Sequence, residues 1–402
     1  MTSDPTPDGL LAELDDLLGA ADAAVTARRP LPTRRQPIST CYVSADTYRA
    51  GTVADWGAAA RAALAAFAAH PDLPEALGLA PDLFAAVLPR VVAKLAADPV
   101  EDLRIDFEDG YGTRSDVEED AAAAAAGAAL AATRRQTTTS GIRVKSMEAP
   151  TRGRAVRTLA GFLAALVATG GDPRDLVVTL PKVSHPDQVR ALGRLFARLE
   201  ETYGLRAGAL RCELQVELPE AVLGADGTAT VVALIAAADG RCDGLHYGTY
   251  DYSAALGIDP DEQRADHPAA EHAKAVLQVA AAGRGVRVVD GSSNVLPVGD
   301  VESVLAAWRI QARVVRRALC WGIAQGWDLH PAQLPCRYLV TLGHLRAGAP
   351  AARARLAAYR GRAGSGFLDE PATERALLTF LERALACGAL DRDEVPELTS
   401  LD

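Results

Sequence analysis

The chain has 402 residues, 49% hydrophobic and 23% charged, a globular composition long enough for one large domain or two. A formal net charge of −10 with no basic stripe argues against a nucleic-acid binder, and no apolar run stays uncharged for the roughly 18 residues a membrane span needs. Six cysteines scattered without CxxC spacing, and a start lacking the basic and apolar stretches of a secretory signal, lead us to expect reduced thiols in a cytoplasmic protein.

Residues 1–36 hold one amphipathic stretch, Leu10–Ala24, followed by a Pro/Arg-rich arm around Arg28–Pro37. Regular alternation begins after it. Eight β-like runs can be marked: Ser39–Ala45, Leu103–Asp109, Gly141–Ser146, Leu176–Val183, Cys212–Leu218, Gly244–Asp251, Val286–Gly291 and a weaker Trp327–His330. Helical periodicity fills the intervals at Asp116–Arg135, Arg154–Thr169, Pro186–Tyr203, Thr228–Ala238, Ala269–Ala282 and Val301–Trp321. Strands alternating with helices imply parallel pairing, and eight units in about 300 residues fit a closed (β/α)₈ TIM barrel better than an open sheet. Residues 51–100 carry Pro71, Pro74, Pro81, Pro89 and Pro99 and are too long for one crossover helix, so a helical insertion of two or three helices is expected after strand one. The expected organisation is an N-terminal helix and arm (1–36), an α/β barrel (37–333) and a helical C-terminal extension (334–402) serving as a cap or oligomer contact.

In a parallel barrel the chemistry sits at the C-terminal ends of the strands, and polar residues collect there along this chain. Strand two ends in Asp106, Glu108 and Asp109, followed at once by Gly110-Tyr111-Gly112. Strand three carries Arg143 and Lys145, strand four ends in Lys182, strand five in Glu217, strand six in Asp251, strand seven in Asp290 and strand eight in His330. Read alone, the cluster at Asp106–Asp109 is either a solvated turn or a site compensated by a cation. Two-residue spacing puts Arg143 and Lys145 on one face, and Asp106 and Glu108 likewise. Glu217, Asp251 and one of Asp106, Glu108 or Asp109 could therefore surround a divalent ion, with Arg143 offering its two-donor fork to a carboxylate. Structural ion pairs tying strand ends together are the other reading. Arg34, Arg35 and Arg49 form either a phosphate-binding cluster or a solubilising set.

These motifs resemble the HpcH/HpaI aldolase and citrate lyase superfamily, in its citrate lyase β-subunit-like and malyl-CoA lyase-like branch, from about Ser39 to Gln333. The matching elements are Asp106-Phe107-Glu108-Asp109, Arg143-Val144-Lys145, Leu180-Pro181-Lys182-Val183, Val216-Glu217-Leu218, the glycine-to-glycine element Gly248 to Gly257 with Asp251 at its acidic position, Val289-Asp290-Gly291, and His330 to Gln333. The chain departs from the pattern at Lys145, where Asn is usual, at Ser184, where Glu is usual, and along the first strand.

The resemblance implies Mg²⁺ or Mn²⁺ held by Glu217 and Asp251, with Arg143 gripping a 2-oxo acid or its enolate. The implied activity is carbon–carbon bond cleavage or formation in a 2-hydroxy or 3-hydroxy acid, as the free acid or its coenzyme A thioester. Candidate catalytic residues are Arg143, Asp109, Glu108 and His330, with His246 and His185 as further choices of base. Candidate substrate contacts are Arg143, Lys145, Lys182, Gly248 and Thr249. Set against Glu217 and Asp251, the Asp106–Asp109 cluster reads as a supporting wall that holds water or orients Arg143. A synthase condensing glyoxylate with an acyl thioester on the same site, and a barrel that binds an oxo acid without turnover, are the competing readings. By analogy with the lineage, assembly as a trimer or hexamer is expected.

Overall fold

The computed structural model describes residues 7–31, 35–133, 137–361 and 370–401. Helix α1 (Pro7–Thr26) leads into an arm tied to the body where Arg29 N–H donates to the Gly283 carbonyl at 2.7 Å. Eight parallel strands then close a barrel in chain order: β1 (Ser39–Ser44), β2 (Asp102–Asp106), β3 (Thr139–Arg143), β4 (Val177–Leu180), β5 (Arg211–Val216), β6 (Cys242–Tyr247), β7 (Arg287–Asp290) and β8 (Gln325–Asp328). Closure is direct, with β1 paired to β8 through Thr40 and Trp327.

Three helices lie between β1 and β2: α2 (Thr52–Phe67), α3 (Leu73–Leu77) and α4 (Pro81–Ala97). Of the prolines in this stretch, Pro74 and Pro81 occupy first-turn positions where the missing N–H is harmless, Pro71 and Pro99 lie between elements, and Pro89 lies inside α4, which continues through it. The outer ring continues with α5 (Asp116–Thr133), α6 (Arg152–Ala168), α7 (Pro186–Thr202), α8 (Pro219–Val222), α9 (Thr230–Ala237), α10 (Thr249–Ala255), α11 (Pro268–Ala281) and α12 (Val301–Cys320). After β8 come α13 (Leu334–Arg360) and α14 (Pro371–Ala386). The first half of α13 is almost wholly buried and packs on α4 and α12, so it completes the eighth strand–helix unit. Its anchor is Arg337, whose Nε donates to Asp328 Oδ2 at 2.5 Å; that carboxylate also accepts from Ser39 and Gln311.

Most of the apolar core lies between the strands' outer faces and the helices, where Ile105, Ile142, Val178, Leu214 and Leu245 meet residues such as Leu159, Phe162, Leu192 and Phe196. The lumen is different. Only Tyr42, Val289 and Trp327 form a separate apolar group there. The rest of the middle is a polar column: Arg104 of β2 reaches across to Glu213 of β5 through two bonds of 2.8 and 2.6 Å, and also contacts Asp102. His246 Nε2 stands 2.9 Å from Glu213 Oε2, while Trp327 Nε1 donates to His246 Nδ1 at 2.9 Å. Buried charges in such a column persist only because each is paired and hydrogen-bonded.

The strands end earlier than the sequence pattern suggests. A ladder stops where the chain turns outward to its helix, so Glu108, Asp109, Lys145, Lys182 and Glu217 lie past the strand ends, and Asp251 lies in the first turn of α10. No described helix is long and apolar enough to cross a membrane. All six cysteines are free, and Cys320 alone among them is exposed.

Candidate active site

At the C-terminal ends of the strands a pocket of about 420 Å³ opens, lined among others by Tyr42, Asp106, Asp109, Arg143, Gln215, Glu217, Asp251 and Trp327. A larger groove, about 630 Å³, lies between α13 and α14, and among the described residues its lining is mostly apolar, with Arg355 the one charged side chain. The strand-end pocket, where acids and a buried arginine collect, is the candidate site.

The sequence builds this pocket from register. Asp106 and Arg143 are direct partners across β2 and β3, so their side chains meet on the inner face. Arg143 Nε and Nη2 each donate to Asp106 at 2.6 Å, a two-pronged grip in a buried setting. The fork expected to be open to a carboxylate is thus half spent. Its Nη1 end remains, 3.3 Å from Gln215 Oε1 and 3.2 Å from Glu108 Oε2. Asp106 also accepts from the Glu108 and Gly110 main chain at 2.9 Å each, and a side chain at Gly110 would strike Asp106 Oδ2. The glycine therefore permits the sharp turn that brings Glu108 and Asp109 to the rim.

Glu217 is the most buried acid of the pocket, at 1% exposure. Its Oε1 accepts from the Lys182 main-chain N–H at 2.7 Å, and Gln215 donates to its Oε2. Burial pushes its carboxyl up to about 8, against the pull of the Lys182 ammonium, with Glu108 adding repulsion. Burial also raises Glu108, which Arg143 counters. Burial would raise Asp109 as well, but its bond with Glu108 and the nearby Arg143 and Lys182 bring it below the ordinary range. Lys182 Nζ lies 2.5 Å from Glu108 Oε1, 3.3 Å from both Asp109 oxygens and 3.2 Å from Asp251 Oδ2. Burial would lower its ammonium pKa, but Glu217 first, then Glu108 and Asp109, raise it.

Five carboxylates, Asp106, Glu108, Asp109, Glu217 and Asp251, thus face two cations, Arg143 and Lys182. The deficit of positive charge fits a divalent ion. Among the described residues no three His, Cys, Asp or Glu side chains close on one point tightly enough to hold an ion. Two carboxylates, with water and substrate oxygens completing the shell, match a hard cation that keeps several waters. Glu217 and Asp251, each within 4.0 Å of Lys182 Nζ, are the two that could supply such a pair.

Several sequence-based candidates stand elsewhere. His330 does not line the pocket: it caps the turn Pro331–Gln333, its Nδ1 accepting from Ala332 N–H at 3.2 Å, and burial lowers its pKa. His246 lies below the pocket in the polar column, and exposed His185 caps α7. Lys145 lies past the end of β3, where strand alternation no longer applies; its ammonium is bound to Glu119 at 2.8 Å and the Phe107 carbonyl at 2.7 Å. It turns away from Arg143 instead of sharing its face. Asp290 is committed to Lys274 at 2.7 Å. Of the arginine cluster, Arg34 lies outside the described residues, Arg35 pairs with Asp98 and Glu101 before β1, and Arg49 pairs with Asp55 after it. Opposite barrel ends separate the last two. Gly248 and Thr249 do line the pocket.

Sequence reasoning missed Gln215, Tyr42 and Trp327. For Gln215 the available signal was the period of two: Glu213 and Gln215 on β5, continued by Glu217 just past its end, repeat the stripe of Asp102, Arg104 and Asp106 on β2. Gln215 joins Arg143 to Glu217, while the Tyr42 ring packs on Trp327 with centroids 4.7 Å apart and sits 5.0 Å beneath the Arg143 guanidinium.

The molecule is a (β/α)₈ barrel of the kind seen in a solved citrate lyase from Burkholderia xenovorans LB400, with 20% identity over 90% of this chain and 96% of that one, and a TM-score of 0.60. The fold implied by the citrate lyase resemblance is thus the fold found. Two further solved structures are similar at lower scores: the protein CitE from Mycobacterium tuberculosis in complex with magnesium and acetate (18% identity, 89% and 100% covered, TM-score 0.48) and a Haloferax volcanii malate synthase pyruvate/acetyl-CoA ternary complex (12%, 93% and 96%, 0.49). No curated protein matches the sequence. Residues 18–402 match the model of a domain of unknown function, DUF6986, and the chain belongs to that family.

Proposed function

We propose that the chain is a divalent-cation-dependent carbon–carbon lyase or aldolase, cleaving or forming a small hydroxy acid through a 2-oxo acid. The observation that carries this reading is the surplus of carboxylates around Glu217 and Asp251 at the mouth of a pocket sized for a small acid. The citrate lyase from Burkholderia xenovorans, sharing the barrel, supports it as a precedent of fold.

Glu217 and Asp251 would hold Mg²⁺ or Mn²⁺. The bound cation would supply Lewis-acid stabilisation of negative charge developing on a substrate oxygen. Arg143, held rigid by Asp106 and stacked above Tyr42, presents its Nη1 end to a substrate oxygen with little reorganisation. Gln215 bridges Arg143 and Glu217, accepting from the first and donating to the second. Of the adjacent acids, Asp109, which lines the pocket, would accept the hydroxyl proton, while Glu108 braces Arg143 and Lys182. Thr249 and the Gly248 main chain shape the opposite wall. Six free cysteines accord with a cytoplasmic enzyme.

The test is a panel of hydroxy acids and their coenzyme A thioesters assayed for oxo-acid release. Activity should vanish with EDTA, return with Mg²⁺ or Mn²⁺, and fall by about 10³-fold in Glu217→Gln. Turnover indifferent both to chelation and to Glu217→Gln would sink the proposal.

A further inference from the structure

Lys182 follows Pro181 just past β4 with a left-handed backbone, φ 51°, one of three non-glycine residues so placed among those described. That conformation aims two donors of one residue at the same acids. Its main-chain N–H binds Glu217 Oε1 at 2.7 Å. Its ammonium lies within 4.0 Å of four carboxylates from three separate segments: Glu108 and Asp109 after β2, Glu217 after β5, and Asp251 in α10. Glu108, at 2.5 Å, is the nearest and Glu217, at 4.0 Å, the farthest.

An ammonium at this focus and a divalent cation held by Glu217 and Asp251 compete for the same oxygens and repel each other. The backbone is pinned by Glu217, but the ammonium rides on a flexible four-carbon stem and can leave while the main chain stays. We infer that Lys182 is a tethered stand-in for the cation: it neutralises the carboxylates while the site is empty, is displaced when the cation enters, and by that competition sets the affinity of the site. The inference rests on the cation-dependent reading above.

The competition has a definite sign. Removing the ammonium removes a rival and leaves one more unit of negative charge, so cation binding tightens. A lysine that merely braced the carboxylates would act the other way, because its loss would let them spread and weaken binding.

The experiment is titration with Mn²⁺ in the absence of substrate, followed by the electron paramagnetic resonance of the free ion, on the wild type, Lys182→Met and Lys182→Arg. Lys182→Met should bind Mn²⁺ at least about tenfold more tightly, and Lys182→Arg, which keeps the charge, no more tightly than the wild type. Wild-type binding with equal or weaker binding by Lys182→Met overturns the stand-in role and leaves the cation reading intact. Failure of both proteins to bind at millimolar Mn²⁺ overturns the cation reading and the stand-in role together. Should Lys182→Met fold poorly in cation-free buffer, thermal unfolding with and without Mn²⁺ decides: a larger rise in Tm than in the wild type supports displacement, and an equal or smaller rise refutes it.

Discussion

Glu217 owes its position to a residue with no side chain. A Cβ on Gly248 would run into the Cβ of Glu217 and stand 2.6 Å from its Oε2, while the Gly248 N–H is already fixed to the Val216 carbonyl at 2.9 Å. Its φ of −98° is open to alanine, so Gly248→Ala tests contact alone and not backbone strain. Overpacking of this kind costs about 1–3 kcal/mol, and because the nearest atom is the Glu217 Cβ, the main chain of Glu217 must shift and carry the carboxylate with it. Gly248→Ala should keep its fold, lose a few degrees in Tm, and bind Mn²⁺ about tenfold more weakly by titration. Wild-type affinity would show that the carboxylate is not pressed against this glycine. At this scale the sequence was informative about which acids gather and poor about which cations answer them. Asp106, Glu217 and Asp251 follow from strand ends in a parallel barrel. The roles of Lys182 and Lys145 do not, because one takes a left-handed backbone and the other lies beyond its strand, and alternation predicts neither. Histidines misled for a related reason: a histidine beside proline reads as a strand-end base, yet His330 and His185 both accept from main-chain N–H groups that open a turn or helix.

Among the elements, every strand was legible as a short β-like run, and α5, α6, α7, α9, α11 and α12 by their helical periodicity, because a barrel repeats one simple pattern eight times. What the pattern could not convey was where the eighth unit ends. The β8 run is weak, since only its Trp327 joins the apolar group of the lumen, while Gly326 and Asp328 face Arg337 of α13. A side chain at Gly326 would strike the Arg337 guanidinium, so the strand is thinned to admit the arginine that locks α13 in place. Asp328 is fully buried, and Arg337 is its single cationic partner among the described residues. Arg337→Met should therefore leave an uncompensated carboxylate and cost about 3–5 kcal/mol, read as a lower urea midpoint. Ser39 and Gln311 remain as donors to Asp328, so a loss below about 1 kcal/mol would mean that hydrogen bonds alone hold it.

For the whole molecule, the polar column through the lumen couples stability to acidity. Glu213 is buried at the centre, gripped by Arg104 through two bonds and faced by His246, with Thr179 and Tyr42 also donating to it. Burial alone would raise its carboxyl, but Arg104 first and then His246 hold it well below the ordinary value of 4.5. The folded protein therefore binds fewer protons at this site than the unfolded chain wherever the unfolded carboxyl has begun to protonate. Its contribution is complete above the unfolded value of 4.5 and is lost as pH falls below it towards the folded value, by up to about 1.4 kcal/mol per pH unit. Glu213→Gln removes this titration and leaves Arg104 with Asp102 as its remaining salt-bridge partner, so at neutral pH the variant should be less stable by about 3–5 kcal/mol. Carboxylates elsewhere, such as Glu200 with Arg241, titrate in both proteins and cancel in the difference. Urea unfolding at matched pH should therefore show a gap between wild type and Glu213→Gln that narrows steadily as pH falls below the ordinary carboxylate value of 4.5. A gap that stayed constant down to pH 3 would mean that Glu213 keeps the same proton affinity in the folded and unfolded chain, and the column would then hold the barrel by shape and hydrogen bonding without the charge that its geometry implies.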